Sequence, residues 1–310
     1  MTTAHVLRRI GQALIVIWAT FTLAFILLTV LPSDAVAARY ADPVLGLTDA
    51  QLEEIRAVYG ADESALSRYF AALGGFLTGD LGYSVASGTA VTDLLAETLP
   101  ATLTLAATAF LLGVAMAFVI AVCGNFGPVR SFFQALPPLM VSLPTFWVGT
   151  ILIQLFSFQL GLVPVIGGNN AENLILPAIT LAITVAAPLA QVLLRSIDEV
   201  LGQPFITAVR ARGASDWWIL SRNVLRNALL PALTMAGILF GELVGGSVVT
   251  EAVFGRTGIG SITVDAVTDR DTAVLLAVVV IAAAVFVLIN LIVDLLYPVL
   301  DTRLRKKATR

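Results

Sequence analysis

Few side chains in this 310-residue chain can do chemistry, and their spacing excludes most of what they could do. One histidine, His5, and one cysteine, Cys123, are too few for a zinc, haem or iron–sulfur site, and a lone cysteine makes no disulfide within the chain. The lysines, Lys306 and Lys307, follow no glycine-rich loop, which excludes a phosphate-cradling P-loop. Gly258-Ile259-Gly260 lacks the strand and third glycine of a dinucleotide fingerprint and reads as an ordinary turn. Glu242 sits well inside an apolar run and Asp294 at the end of another, with no Ser–His pair, paired aspartates or ligand cluster near either. That argues against intramembrane hydrolysis, and also against the paired ionisable groups of an ion-coupled carrier or the repeated rings of a channel filter. Charge gathers instead in Asp198–Pro231, where Arg210, Arg212, Arg222 and Arg226 follow Arg195. The chemistry open to such a segment is recognition of another protein.

The elements that must position it are apolar. Apolar residues make up 58% of the chain and charged ones 13%, the balance of a polytopic membrane protein. Six stretches are long enough to cross a bilayer, which takes about 20 residues: Ile10–Leu31, Leu99–Cys123, a charge-free run within Ser131–Ala171, Leu174–Leu194, Ala228–Val249 and Thr272–Val293. With both ends inside, thirteen of eighteen Lys and Arg fall on one face, so the positive-inside rule makes that face cytoplasmic. The fold class is therefore all-α, a six-helix membrane bundle. Its expected parts are residues 1–31, the N-terminus and first span; 32–97, an extracytoplasmic segment; 98–298, a five-helix core with a cytoplasmic loop at 198–227; and 299–310, a basic tail. A cleaved leader is the rival reading of the first span, since Ala35, Ala37 and Ala38 follow it, but the run is long for a leader.

Local signals refine this. In the loop, Pro204 suits a first helical turn, Gly213 a break, and Ser215 the cap of a second helix placing Trp217, Leu220 and Val224 on one face. Outside, Thr48 and Gln51 form a capping box for a helix carrying Leu52, Ile55 and Val58 and stopped by Gly60. A second amphipathic piece, with Leu66, Tyr69, Phe70 and Leu73, ends at Gly74-Gly75. These helices either lie on the membrane or offer a face to a soluble receptor. Pro137, Pro138 and Pro144 predict a kinked span packed in the bundle interior. Glu242 costs on the order of 2.5–3.5 kcal/mol at a helix centre and must face protein or water.

Thr207-Ala208-Val209, then Gly213, then Leu230-Pro231 resembles the coupling-loop motif of ABC importer permeases, in which Glu-Ala-Ala is followed by Gly and Leu-Pro. Thr207 in place of glutamate and the longer gap to Leu-Pro are departures that the peptide and nickel permease branch shares. Gly79-Asp80-Leu81-Gly82-Tyr83-Ser84, the Pro144-Thr145-Phe146-Trp147 stretch, Val248-Val249-Thr250-Glu251 with Phe254, Gly258-Ile259-Gly260 and Arg270-Asp271 are similar to that branch as well. Thr257 stands where its members carry proline.

The resemblance implies a type I ABC importer permease of the bacterial cytoplasmic membrane, with no catalytic residue of its own. Thr207, Ala208, Val209, Arg210, Arg212 and Gly213 would couple to ATPase subunits, either one two-domain chain or two separate chains, which would bind the ATP and Mg. A second homologous permease would complete the route, and an extracytoplasmic binding protein would deliver short peptides; no nucleic acid is involved. Gln154, Gln191, Glu242, Glu251, Phe254 and Asn290 are candidates for the pathway or its outer gate. Nickel chelates, glutathione or opines are alternative cargoes, and an ATP-independent secondary transporter is the alternative mechanism.

Overall fold

The computed structural model describes residues 3–30, 64–126, 128–164 and 171–300, together with positions 48, 50, 51, 53 and 54. Thr48 and Gln51 do bond to one another, the Thr48 N–H donating to Gln51 Oε1 at 2.9 Å. Leu52, Ile55, Val58 and Gly60, the small residues at 35–38 and the basic tail from residue 301 lie outside the described residues.

In chain order the helices are α1 (Thr3–Val30), α2 (Ala65–Thr78), α3 (Val91–Phe126), α4 (Arg130–Ser142) and α5 (Thr145–Leu152), which widens into a π-helical turn over Ile153–Gln159. Then come α6 (Glu172–Leu201), α7 (Pro204–Ala211), α8 (Asp216–Ile219), a second wide turn (Leu220–Val224), α9 (Leu225–Val253), α10 (Ile259–Thr268) and α11 (Thr272–Leu300). Among the described residues the β structure is one isolated bridge, Tyr83 to Ala90. Five helices are long and apolar enough to cross a membrane, and the pair α4 and α5, bent by 105°, supplies a sixth span if counted as one.

The centre of the bundle is α6, packed against α3 along small residues. Ala106, Ala109, Ala117 and Ala121 of α3 and Ala182, Ala186 and Ala190 of α6 are all buried. Lipid tails are as apolar as leucine, so helices in a membrane gain little by hiding apolar surface and associate by close backbone approach instead. Gly113 shows how close: a Cβ there would lie 2.8 Å from Val185 Cβ. On the far side of the bundle, α1 lies against α11 through Phe21, Ala24, Leu276 and Val280. Arg9 and Asp294 pair at 2.9 Å near the ends of those two helices.

The structure revises two expectations. Helix α2 does not stop at Gly74-Gly75 but runs to Thr78 and is closed by Gly79 at φ 86°. A Cβ on Gly75 would strike the Asp80 carbonyl, so that glycine serves a close approach and Gly79 the left-handed cap. Its packed face is Tyr69, Ala72, Leu73 and Phe76, with Tyr69 bonded to Thr22 of α1 at 2.9 Å, while Leu66 and Phe70 point away. The proline-bearing stretch is bent as expected, by 105° at the break Leu143-Pro144. It is not interior, since Phe132, Leu139, Phe146, Trp147 and Phe158 are left exposed on this chain.

Overfilling a packed seam costs about 1–3 kcal/mol. Gly113→Leu is expected to lower the thermal unfolding midpoint in detergent, whereas Gly74→Ala, which meets nothing within 4 Å, is expected not to lower it.

Candidate functional site

Two constructions stand at opposite ends of α9. The first is the hinge between α6 and α9. Helix α6 ends with the Gly202 N–H donating to the Asp198 carbonyl (3.0 Å), and Pro204 opens α7 where its missing N–H costs nothing. Gly213, at φ +83°, reverses the chain after α7, its N–H donating to the Arg210 carbonyl at 3.0 Å. Ser215 caps α8 by accepting from the Trp218 N–H at 3.3 Å. Ile206, Ile219, Leu220 and Val224 are driven into the core, so the hinge is pegged to the bundle by four apolar side chains.

The rest of the hinge, including the segment expected to couple to a partner, faces outward. Thr207, Ala208, Arg210, Arg212 and Gly213 are exposed and Val209 is half-buried. Arg210 reaches Asp216 at 3.3 Å, tying α7 to α8, and Arg130 pairs with Asp198 at 2.9 Å beside the hinge. Trp217 does not share a buried face with Leu220 and Val224; it is 67% exposed. The wide turn over Leu220–Val224 adds a residue to its turn and shifts the helix face, so burial falls on 219, 220 and 224.

The second construction closes the other end of α9. Glu251, 1% exposed, accepts from the Thr102 hydroxyl of α3 through Oε1 (2.7 Å) and from the Gly260 N–H of α10 through Oε2 (2.7 Å). Thr102 Oγ1 in turn accepts from the Ile259 N–H at 2.8 Å. The carboxylate thus meets the first-turn amides of α10, where a helix favours negative charge. Gly258-Ile259-Gly260 is more than a turn, because a Cβ on either glycine would run into Glu251. Thr257, in the place of proline, leaves the turn intact: the Arg256 N–H donates to the Glu251 carbonyl (2.9 Å) and Arg256 Nη1 to the Asn173 carbonyl (2.9 Å).

A parallel junction joins two further motifs. Ser84 donates to Asp271 Oδ2 at 2.6 Å, and the Ala86 N–H reaches the same oxygen at 3.3 Å. Asp271 Oδ1 accepts from the Val274 N–H (3.3 Å), capping α11 after Arg270 has turned the chain at φ 57°.

The pathway candidates separate accordingly. Gln154, Gln191 and Glu242 are exposed on the π-helical turn, α6 and α9 respectively. Asn290 is half-buried and bonds its own helix at the Phe286 carbonyl (2.9 Å). Glu251 and Phe254 are buried inside the chain, where they join elements, Phe254 lying over Gly149 of α5. Thr102 is a junction residue that the sequence does not single out. Its span holds hydroxyls at Thr98, Thr104 and Thr108 too, and nothing in the sequence separates the one that meets Glu251 from those that bond their own helix.

An all-helical bundle with five or six apolar spans, a charged helical hinge and this order of motifs defines an ABC importer permease. The family model "Binding-protein-dependent transport system inner membrane component" matches residues 109–306, and the chain belongs to that family. Among its relatives, the glutathione transport system permease protein GsiC of Escherichia coli is 34% identical over 308 residues, covering 98% of this chain and 99% of the relative. The protein of that name from Shigella flexneri is also 34% identical, with the same coverage. Two solved structures share the fold. An inward-facing form of the MetNI methionine ABC transporter has a TM-score of 0.56 at 22% identity, over 67% of this chain and 96% of that one. An amino acid ABC transporter solved with histidines has a TM-score of 0.54 at 20% identity, over 66% and 94%.

A buried donor left without its acceptor costs about 1–3 kcal/mol. Thr102→Val strands the Ile259 N–H and removes a donor from Glu251, so the unfolding midpoint should fall and the Ile259 amide should exchange faster. An unchanged midpoint with unchanged exchange would show that the junction carries no stability.

Proposed function

We propose that this chain is the permease subunit of an ATP-driven importer for short peptides in the bacterial cytoplasmic membrane, supplying half of the route through the bilayer. A second, homologous permease forms the other half. An extracytoplasmic binding protein delivers cargo, and ATPase subunits holding ATP and Mg, as one two-domain chain or two separate ones, grip the hinge from the cytoplasm. The orientation follows from the arginines, which put the hinge and both chain ends on the inner face. Glutathione is itself a short peptide, and relatives named for its transport over nearly their whole length make it a first cargo to try.

The observation that carries this reading is the hinge. Its outer surface displays Thr207, Ala208, Arg210, Arg212 and Gly213, with Phe205, Trp217 and Trp218 beside them, while Ile206, Ile219, Leu220 and Val224 anchor it between α6 and α9. A surface so placed transmits a push: displacement of α7 moves two spans, because the pegs leave it no freedom to slide alone. A carrier without an ATPase has no use for that surface.

A side chain at Gly213 meets no neighbour, so a substitution there acts through backbone conformation, at about 1–2 kcal/mol for a left-handed residue carrying Cβ. With the importer reconstituted in proteoliposomes, Gly213→Leu should retain the ATPase subunits on purification yet take up peptide at least about tenfold more slowly, a barrier change of roughly 1.4 kcal/mol. Full uptake by this variant, or wild-type uptake without nucleotide, would overturn the lever.

A further inference from the structure

Glu242 is the one carboxylate that the fold places at the middle of a span and leaves uncovered. It makes no ion pair or side-chain hydrogen bond among the described residues. Helix α9 cannot roll to hide it. On its packed side, Gly237 lies under Val293 and Gly241 under Phe286, both of α11, and a Cβ at either glycine would collide. Those contacts fix the rotation of α9 and turn the opposite stripe outward: Thr234, Ile238, Glu242, Gly245 and Val249, recurring every three or four residues. Gly245 and Gly246, one turn beyond the carboxylate, meet nothing within 4 Å, so the surface beside Glu242 is bare backbone. Two glycines in lipid would add nothing, and a carboxylate there is disfavoured. The face therefore borders water or protein.

Charge decides what meets it. None of the spans of this chain contains a Lys, Arg or His between 99 and 123, 131 and 171, 174 and 194, 228 and 253, or 272 and 293. No span of this chain supplies a cation, and a second copy would bring another carboxylate. A cationic solute would supply the countercharge. Resting on the importer reading above, we infer that Glu242 is a specificity-determining residue of the pathway wall, holding the ammonium or guanidinium group of a cationic peptide as it passes. Helix α6, packed against α9, has an exposed stripe of its own that carries Thr184 and Gln191. A lone carboxylate in a narrow, poorly hydrated route favours a passing cation over an anion of the same size.

The test is uptake of two labelled peptides, lysyl-alanine and alanyl-glutamate, by the complete importer with its binding protein in proteoliposomes. The binding protein is common to all variants, so its own preference cancels when ratios are compared. The ratio of cationic to anionic uptake should fall about tenfold in Glu242→Gln, reverse in Glu242→Lys and be largely kept in Glu242→Asp. A ratio equal to wild type in both Gln and Lys variants overturns the cation site while leaving the importer intact. Loss of the partner permease from purified Glu242→Gln overturns it in favour of a subunit contact. Wild-type uptake of either peptide without nucleotide would instead remove the importer reading on which the site rests.

Discussion

Hydrocarbon tolerates no unpaired N–H or C=O, and each element of this chain answers to that constraint. Its spans are helices because only a helix satisfies its backbone from within. Many hydroxyls inside the spans obey the same rule: Thr98, Thr104, Thr108 and Thr180 each donate to the carbonyl four residues earlier, whereas Thr250 Oγ1 of α9 is buried without a partner among the described residues. Where a helix must end near apolar surroundings, a side chain takes over. Asp271 caps α11, and Glu251 with Thr102 meets the opening amides of α10. Both carboxylates are almost fully buried, and both are bonded through both oxygens.

These caps tie several elements together at the end of α9 away from the hinge. Glu251 belongs to the last turn of α9, Thr102 to α3 and Gly260 to α10, so one carboxylate joins a span, its neighbour and the short helix that follows. Ser84 and Asp271 do the same for the segment before α3 and the start of α11. At the other end, the hinge is held by apolar pegs and displays its polar surface. Helix α9 runs between the two and so joins the hinge to the junction at Glu251. Its glycines divide that labour, Gly237 and Gly241 fitting it to α11 and Gly245 and Gly246 leaving its far face open.

Much of this was legible in the chain itself. Apolar runs marked the spans, because the length of hydrocarbon to be crossed sets the length of each run. The segment at 198–227 and the cap at Ser215 were equally plain, since capping and breaking depend on neighbours in sequence. The motifs that resemble peptide permeases identified the family. The wide turns at Ile153–Gln159 and Leu220–Val224 and the end of α2 at Gly79 were not readable, because each depends on what packs against the helix. The face of Trp217 followed from one of those turns.

The sequence by itself determined the class of the molecule: how many times it can cross, which loop carries the charge, and which residue types are missing and so which chemistries are closed. Those properties are local or compositional, and the bilayer imposes them directly. Tertiary structure alone decided which polar groups meet. Glu251 and Glu242 lie nine residues apart in one helix, yet the first is buried against Thr102 and the second stands open. Nine residues is about two and a half turns, so the helix sets them on opposite faces. Which of those faces is buried depends on the rotation of α9, and the contacts of Gly237 and Gly241 with a helix some fifty residues away set that rotation.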